Sequence, residues 1–267
     1  MTKFAAFDEY PKPSLVAAET ALLTAWPGLH RYHDDLVLVG GLAVKHLTRP
    51  GGVLARGAVT MDVDFGISLA ADGGMYGTIA DDLRGQDFKR DAQGRYVRLV
   101  EGLTIYLDLL TEKPSIERGT TVVDRVPVEA FPGIQRALAT KTPIPVSGHD
   151  AYGVRKTVNV PVSGIGPLLV LKINAFASRE QPKDAYDILL SVSNYVGGFA
   201  AAITAFQEET NQGNTGYAYA VAALQRHFTA DNQSGPLRCA AFAPADAASR
   251  EQIIQQSVSV GKALLGK

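Results

Sequence analysis

The spacing of apolar positions changes twice along the chain. Residues 14–26, SLVAAETALLTAW, put Leu15, Ala18, Leu22 and Leu23 at helical spacing, with Ser14 as N-cap and Pro27-Gly28 as the stop. A short apolar run at 36–39 then ends in Gly40 and Gly41. It has the length of a strand, and residues 42–49 read as the helix that follows. Residues 50–57 are loop-like, 59–69 read as a strand, and 73–85 read as a short helix between glycines. From about residue 88 the texture is β. A hairpin is expected around Gln93-Gly94. In the strand over 103–112, Ile105, Leu107 and Leu109 share one face, and Tyr106 and Asp108 share the other. Shorter strands are expected at 120–124, 144–148 and 156–162. Beyond about residue 163 the period lengthens again. Helices are expected over 166–180, over 182–195 with Pro182 in the first turn, and at 196–210, 216–229 and 246–265. The order predicts an α+β fold, with a mixed α/β core over 1–162 and an all-helical region over 163–267.

Composition narrows the class without naming a function. The chain has 267 residues, 46% of them apolar and 20% charged, with a formal charge of −1. These values suit a globular protein with a full core, and they provide no global field to attract nucleic acid. The one cysteine, Cys239, excludes an internal disulfide and CxxC metal pairs. The first residues show no apolar leader, and no run reaches the ~20 residues of a membrane span, so a cytoplasmic setting is expected. The five histidines show no metal-binding spacing, and no GxSxG elbow is present.

The chemistry concentrates in TMDVDFGI, residues 60–67. Asp62 and Asp64 fall on one face of a strand, with Cβ atoms roughly 6.5–7 Å apart. Two ionised carboxylates at that spacing repel unless water or a cation intervenes. Asp108, alone among apolar neighbours in its own strand, is costly to bury without a partner. If the two strands are adjacent, three carboxylates converge, an oxygen donor set that suits Mg²⁺. Upstream, Gly40-Gly41 at a strand-to-helix junction would let backbone N–H groups approach a phosphate. The pair matches neither Walker A nor GxGxxG.

A glycine pair, a T-x-D-x-D segment about twenty residues later, and then a strand aspartate together resemble the nucleotidyltransferases of the DNA polymerase β superfamily. The resemblance is nearest to the AbiEii-type toxin nucleotidyltransferases of type IV toxin–antitoxin systems. It rests on Gly40, Gly41, Thr60, Asp62, Asp64 and Asp108, and downstream on Lys172, Arg179, Lys183, Asp184 and Asp187, covering roughly residues 34–190. It implies a polymerase β-like mixed sheet and two Mg²⁺ ions on Asp62 and Asp64, with Asp108 as third ligand or general base. It further implies Gly40, Gly41 and Thr60 at the nucleotide and Lys172 at a phosphate or the acceptor, with Arg179, Lys183 and Asp184 supporting the nucleotide. The implied reaction is NMP transfer from an NTP to an acceptor hydroxyl. The implied partners are the NTP, tRNA or another RNA, and a cognate antitoxin protein. Gly41 stands where other branches carry a small hydroxyl residue, Leu42 follows it, and the region beyond 195 lies outside the resemblance.

Each residue also has a plainer reading. Asp62 and Asp64 could be solvated on an edge strand, Asp108 could be satisfied by an arginine or by backbone, and Gly40-Gly41 could be only a tight turn. Lys172 and Arg179, seven residues apart on about one helix face, could border solvent or pair with Asp184 and Asp187. Lys183 and Asp187 have the spacing of an exposed i,i+4 pair. Arg56 and Lys45 are candidate phosphate contacts. Arg49, Arg56, Lys89, Arg90, Arg95 and Arg98 are candidates for a local basic patch toward RNA. Two other function classes stand beside the enzyme: a catalytically degenerate nucleotide- or partner-binding module, and a transferase acting on a small molecule of the antibiotic type.

Overall fold

Alternation after residue 88 and the helical period after 163 both become structure, but the chain crosses between its two units more often than its order suggests. The computed structural model describes residues 4–68, 79–112, 119–123, 126–243 and 246–267. It is an α+β arrangement. One unit comprises residues 12–43 and 60–164, and the other comprises 1–11, 44–59 and 165–267. The expected helix over 73–85 lies partly outside the described residues, and its last part is α3 (Ile79–Gly85).

The first unit is built on a mixed sheet that has nine strands among the described residues. The strands are β1 (Leu36–Val39), β2 (Asp62–Ile67), β3 (Lys89–Arg90), β4 (Tyr96–Val100), β5 (Leu103–Thr111), β6 (Gly119–Val123), β7 (Val126–Ala130), β8 (Thr142–His149) and β9 (Arg155–Val162). Their order is β3-β4-β5-β2-β1-β9-β8, and β7 pairs with both β5 and β6. The central pairing is β2 parallel to β5, flanked by β1 antiparallel to β2 and β4 antiparallel to β5.

Helix α1 (Ser14–Gly28) packs on the face that carries Val63, Phe65, Leu107 and Leu109, all buried, and Trp26 stacks on Phe65 with ring centroids 5.7 Å apart. This helix departs from expectation at both ends. Pro13, not Ser14, occupies the cap; Ser14 is fully buried; and Pro27 is tolerated inside the last turn before the helix ends at Gly28. Two other short elements escaped the sequence reading: β7 and α4 (Ile134–Ala139), which packs on β1, β2 and β5.

The turn from β4 to β5 sets the register that matters most. Glu101 (φ 49°) and Gly102 (φ 81°) form a two-residue connection with both central residues left-handed, the type I′ geometry whose twist matches the flanking strands. It fixes Tyr96 opposite Leu107 and Val97 opposite Tyr106. Residue 95, one step further, therefore lies beside Asp108.

In the second unit, α5 (Ile165–Arg179) and α6 (Pro182–Ser193) pack against each other, with α7 (Phe199–Glu208) and α8 (Tyr217–His227) on α5. Helix α9 (Ser234–Phe242), which the sequence reading did not anticipate, packs on α6, and α10 (Ala247–Leu264) packs on α9. The remaining helix, α2 (Gly40–Leu47), begins in the first unit and ends in the second. Residues from 1–11 and 44–59 join the helices through Phe7, which packs edge-on against Tyr186 and Phe242, and through a hydrogen bond from the Tyr186 hydroxyl to the Gly57 carbonyl (2.9 Å). Cys239 is fully buried there, as its apolar neighbours suggested, and burial pushes its thiol up to about 12. Among the described residues no helix is long and apolar enough to cross a membrane.

The β8–β9 hairpin depends on one buried acid. The Asp150 side chain, 1% exposed, accepts hydrogen bonds from the Tyr152 and Val154 N–H groups, both at 2.9 Å, and pairs with Lys156 at 2.5 Å. Burial alone would raise its pKa, but the Lys156 and backbone hydrogen bonds outweigh burial and hold it below the ordinary 3.8. A carboxylate with a depressed folded pKa contributes stability above its unfolded value and loses it as the pH falls through the folded one. Asp150→Ala should therefore lower unfolding stability at neutral pH by about 1–3 kcal/mol, the range for orphaning buried hydrogen-bond partners. It should also flatten the loss of stability below pH 3.8. Urea denaturation followed across pH by circular dichroism checks both effects.

Candidate functional site

The parallel pairing of β2 with β5 aligns Asp62 with Tyr106 and Asp64 with Asp108. In a parallel pair, aligned residues point to the same face, so Asp62, Asp64, Asp108 and Tyr106 share one side of the sheet. Val63, Phe65, Leu107 and Leu109 form the buried opposite side. The pairing of β2 with β5 thus puts the three strand aspartates on one face. Their strand is interior, because β1 and β5 flank it, so the edge-strand reading does not hold.

The glycine pair meets the same carboxylate face. Val39 pairs with Asp64 across β1 and β2, so the chain enters Gly40 directly beside Asp64. Gly40 has φ +66°, and a Cβ there would lie 1.8 Å from Asp64 Oδ2 and 2.8 Å from Asp64 Cβ. A Cβ on Gly41 would lie 2.7 Å from Thr60 Cβ and 2.8 Å from Thr60 Oγ1. Both glycines are therefore required by close approach inside the protein, before any ligand is considered. Thr60 Oγ1 also accepts a hydrogen bond from the Asp62 N–H at 3.1 Å, bracing the start of β2.

The residue that the sequence reading placed elsewhere is Arg95. Its Nε donates to Asp108 Oδ1 at 2.8 Å, and its second terminal nitrogen donates to Asp108 Oδ2, completing a two-point clasp. The same nitrogen reaches Asp62 Oδ1 at 3.3 Å. The guanidinium carbon lies 4.0 Å from the centroid of the Tyr106 ring, within cation–π range. Burial opposes the charge on Arg95, yet Asp108 first, then Asp62 and Asp64, more than offset it and raise its pKa. Arg95 is consequently cationic at every pH the fold survives. The alternative in which an arginine satisfies Asp108 is the one that the hydrogen bonds describe. The sequence signal that could have found Arg95 is the short Glu101-Gly102 turn, which sets it opposite Asp108.

Several members of the candidate basic patch have partners of their own. Arg95 is turned onto the carboxylates. Arg98, 8% exposed, donates to the Gln86 carbonyl and lies over the Tyr152 ring. Arg90 bonds the Tyr96 hydroxyl at 3.0 Å. Arg49 and Arg56 belong to the helical unit, and Arg56 pairs with Asp8 at 2.8 Å over the Phe7 ring. Arg49, Lys89 and Arg90 are exposed.

The downstream motif residues form their own ionic cluster in the helical unit. The Nζ atoms of Lys172 and Lys183 both lie 2.6 Å from Asp187 Oδ2, with Asp187 fully buried. Arg179 clasps Asp184 with two hydrogen bonds, at 2.6 and 2.8 Å. Lys172 therefore does not border solvent. The Lys183–Asp187 pair is likewise buried, not exposed as its i,i+4 spacing suggested, because α6 turns that face toward α5.

The fit of a divalent ion can be judged from the donors present. The set is oxygen-only and hard, as Mg²⁺ requires. Three carboxylates against one guanidinium leave an excess of two negative charges, matching one dication. Among the described residues, however, no three acidic, histidine or cysteine side chains already converge in a metal-binding arrangement. Two of the three candidate ligands are engaged by Arg95. The residues fit the ion by chemistry and charge, once Arg95 releases them.

The requirement for Gly40 is testable. Gly40→Ala combines a left-handed penalty of about 1–2 kcal/mol with displacement of Asp64. Gly102→Ala, also left-handed (φ +81°) but with nothing within 4 Å of the added Cβ, should show the backbone penalty alone. Thermal denaturation should rank Gly40→Ala well below Gly102→Ala, and equal losses would show that the Asp64 approach is unimportant. No family model matches this chain, and no curated protein matches it.

Proposed function

We propose that the chain is a Mg²⁺-dependent nucleotidyltransferase that moves NMP from an NTP to an acceptor hydroxyl, with an RNA such as tRNA as the acceptor class. The observation that supports this reading is the placement of Asp62, Asp64 and Asp108 on one face of the paired strands β2 and β5, beside the glycine turn that opens a helix. Asp62 and Asp64, with Asp108, would hold the ion. The chemistry supplied by bound Mg²⁺ is neutralisation of phosphate charge and acidification of the attacking hydroxyl. An Asp108 oxygen would accept the hydroxyl proton. The acceptor oxygen then bonds to the α-phosphorus, the bond to the bridging oxygen breaks, and pyrophosphate leaves. The N–H groups that open α2 would offer donors to the triphosphate. Positioning and charge compensation supply most of the rate in such transfers, so a small set of side chains suffices.

A second reading has one specific observation in its favour. Arg95 already neutralises Asp62 and Asp108, as expected of a degenerate module that binds a nucleotide or a protein without chemistry. Incubation with each labelled NTP, Mg²⁺ and total RNA, protein or small-molecule acceptors separates the two. The enzyme reading expects label on an acceptor and its loss, by at least about a hundredfold, in the folded Asp62→Ala/Asp64→Ala variant. Thermal stabilisation by NTP with Mg²⁺ and no transfer would favour the binding module. Undiminished transfer by the double variant would reject the carboxylate mechanism.

A further inference from the structure

Arg95 is held differently in its backbone and its side chain. The backbone is fixed: Arg95 N–H donates to Asp91 Oδ1 at 2.9 Å, and the Arg95 carbonyl accepts from the Asp91 N–H at 3.0 Å. Gly94, at φ +83°, closes this turn. The side chain, by contrast, is 24% exposed, and it stands at the end of an edge hairpin whose outer strand, β3, has two residues. It can leave the carboxylates by rotation about its own bonds, with no movement of the sheet. While it stays, it supplies the positive charge that Asp62, Asp64 and Asp108 demand. A guanidinium clasping Asp108 at both oxygens and touching Asp62 occupies the lone pairs that a cation would need.

We propose that Arg95 is a built-in competitor for the divalent ion: it holds Asp62 and Asp108 while no metal is bound and must swing off them before a cation can enter. The role rests on the nucleotidyltransferase reading for its purpose, but its physical content is competition between a guanidinium and a dication for the same two carboxylates. The Tyr106 ring beneath the guanidinium gives Arg95 one of the contacts it must give up on leaving. The swing also frees a permanent positive charge next to the ion, where the phosphates of an incoming triphosphate would accept it.

The test is Mn²⁺ binding to the full chain, read by the electron paramagnetic resonance signal of free Mn²⁺, with no turnover involved. Arg95→Gln should bind Mn²⁺ at least about tenfold more tightly than the wild type, since two carboxylates lose a competing partner. Arg95→Lys separates competition from general charge. It keeps the charge but cannot make the two-point clasp, so competition expects tighter binding than wild type, and a long-range field alone expects no change. Equal or weaker binding by Arg95→Gln, or Arg95→Lys matching wild type, overturns the proposal. Asp64→Asn should abolish binding in each background. If Mn²⁺ binds wild type and both Arg95 variants alike and Asp64→Asn removes it, the metal site stands and the Arg95 role falls. If none of the chains binds Mn²⁺, both fall. Should the Arg95 variants not fold, the wild-type chain still decides. The Arg95 Nε–H resonance, hydrogen-bonded to Asp108, should move to a solvent-like position on Mg²⁺ addition, and an unmoved resonance at saturating Mg²⁺ overturns the proposal.

Discussion

Three carboxylates on one face of two hydrogen-bonded strands need a positive charge among them. At the spacing of Asp62 and Asp64, mutual repulsion is worth about 2–3 kcal/mol at an effective dielectric near 20, and Asp108 in the neighbouring strand adds to it. That is a large fraction of the net stability of a typical domain. Arg95 answers this demand from within the chain. Much of the sheet geometry around the site serves the pairing. The two-residue turn after β4 fixes the register, the Asp91 turn fixes the Arg95 backbone, and Tyr106 provides an aromatic floor for the guanidinium.

The glycine pair follows from a second constraint, which is steric. The entry to α2 runs so close to Asp64 and Thr60 that no side chain fits at Gly40 or Gly41. This has a consequence for function. A glycine pair in such a motif is usually attributed to a ligand, yet here the protein's own carboxylate and threonine already require it. The same contact holds Asp64 against the first turn of a helix, where the N-terminal partial charge favours an anion.

The helical unit solves its charge problem in the opposite sense. Lys172 and Lys183 converge on one oxygen of a fully buried Asp187, so positive charge is in excess there. Arg179 and Asp184 balance each other on the neighbouring turn.

What the sequence determined by itself was whatever depends on local period and spacing. The strand at β1, its glycine ending, the shared face of Asp62 and Asp64, the apolar and polar faces of β5, and the helices from α5 to α8 and α10 all follow from neighbours a few residues apart. The α+β order was legible for the same reason. Three elements, β7, α4 and α9, were not anticipated. Tertiary structure alone decided the rest. Whether Asp108 joins Asp62 and Asp64 depends on which strands pair, and a one-residue slip would have turned it to the apolar face. Whether Arg95, Arg98 and Lys172 meet solvent or carboxylates depends on partners outside their own elements. Charge is a property of a residue, but its balance is a property of a place, and places are made only when the strands and helices come together.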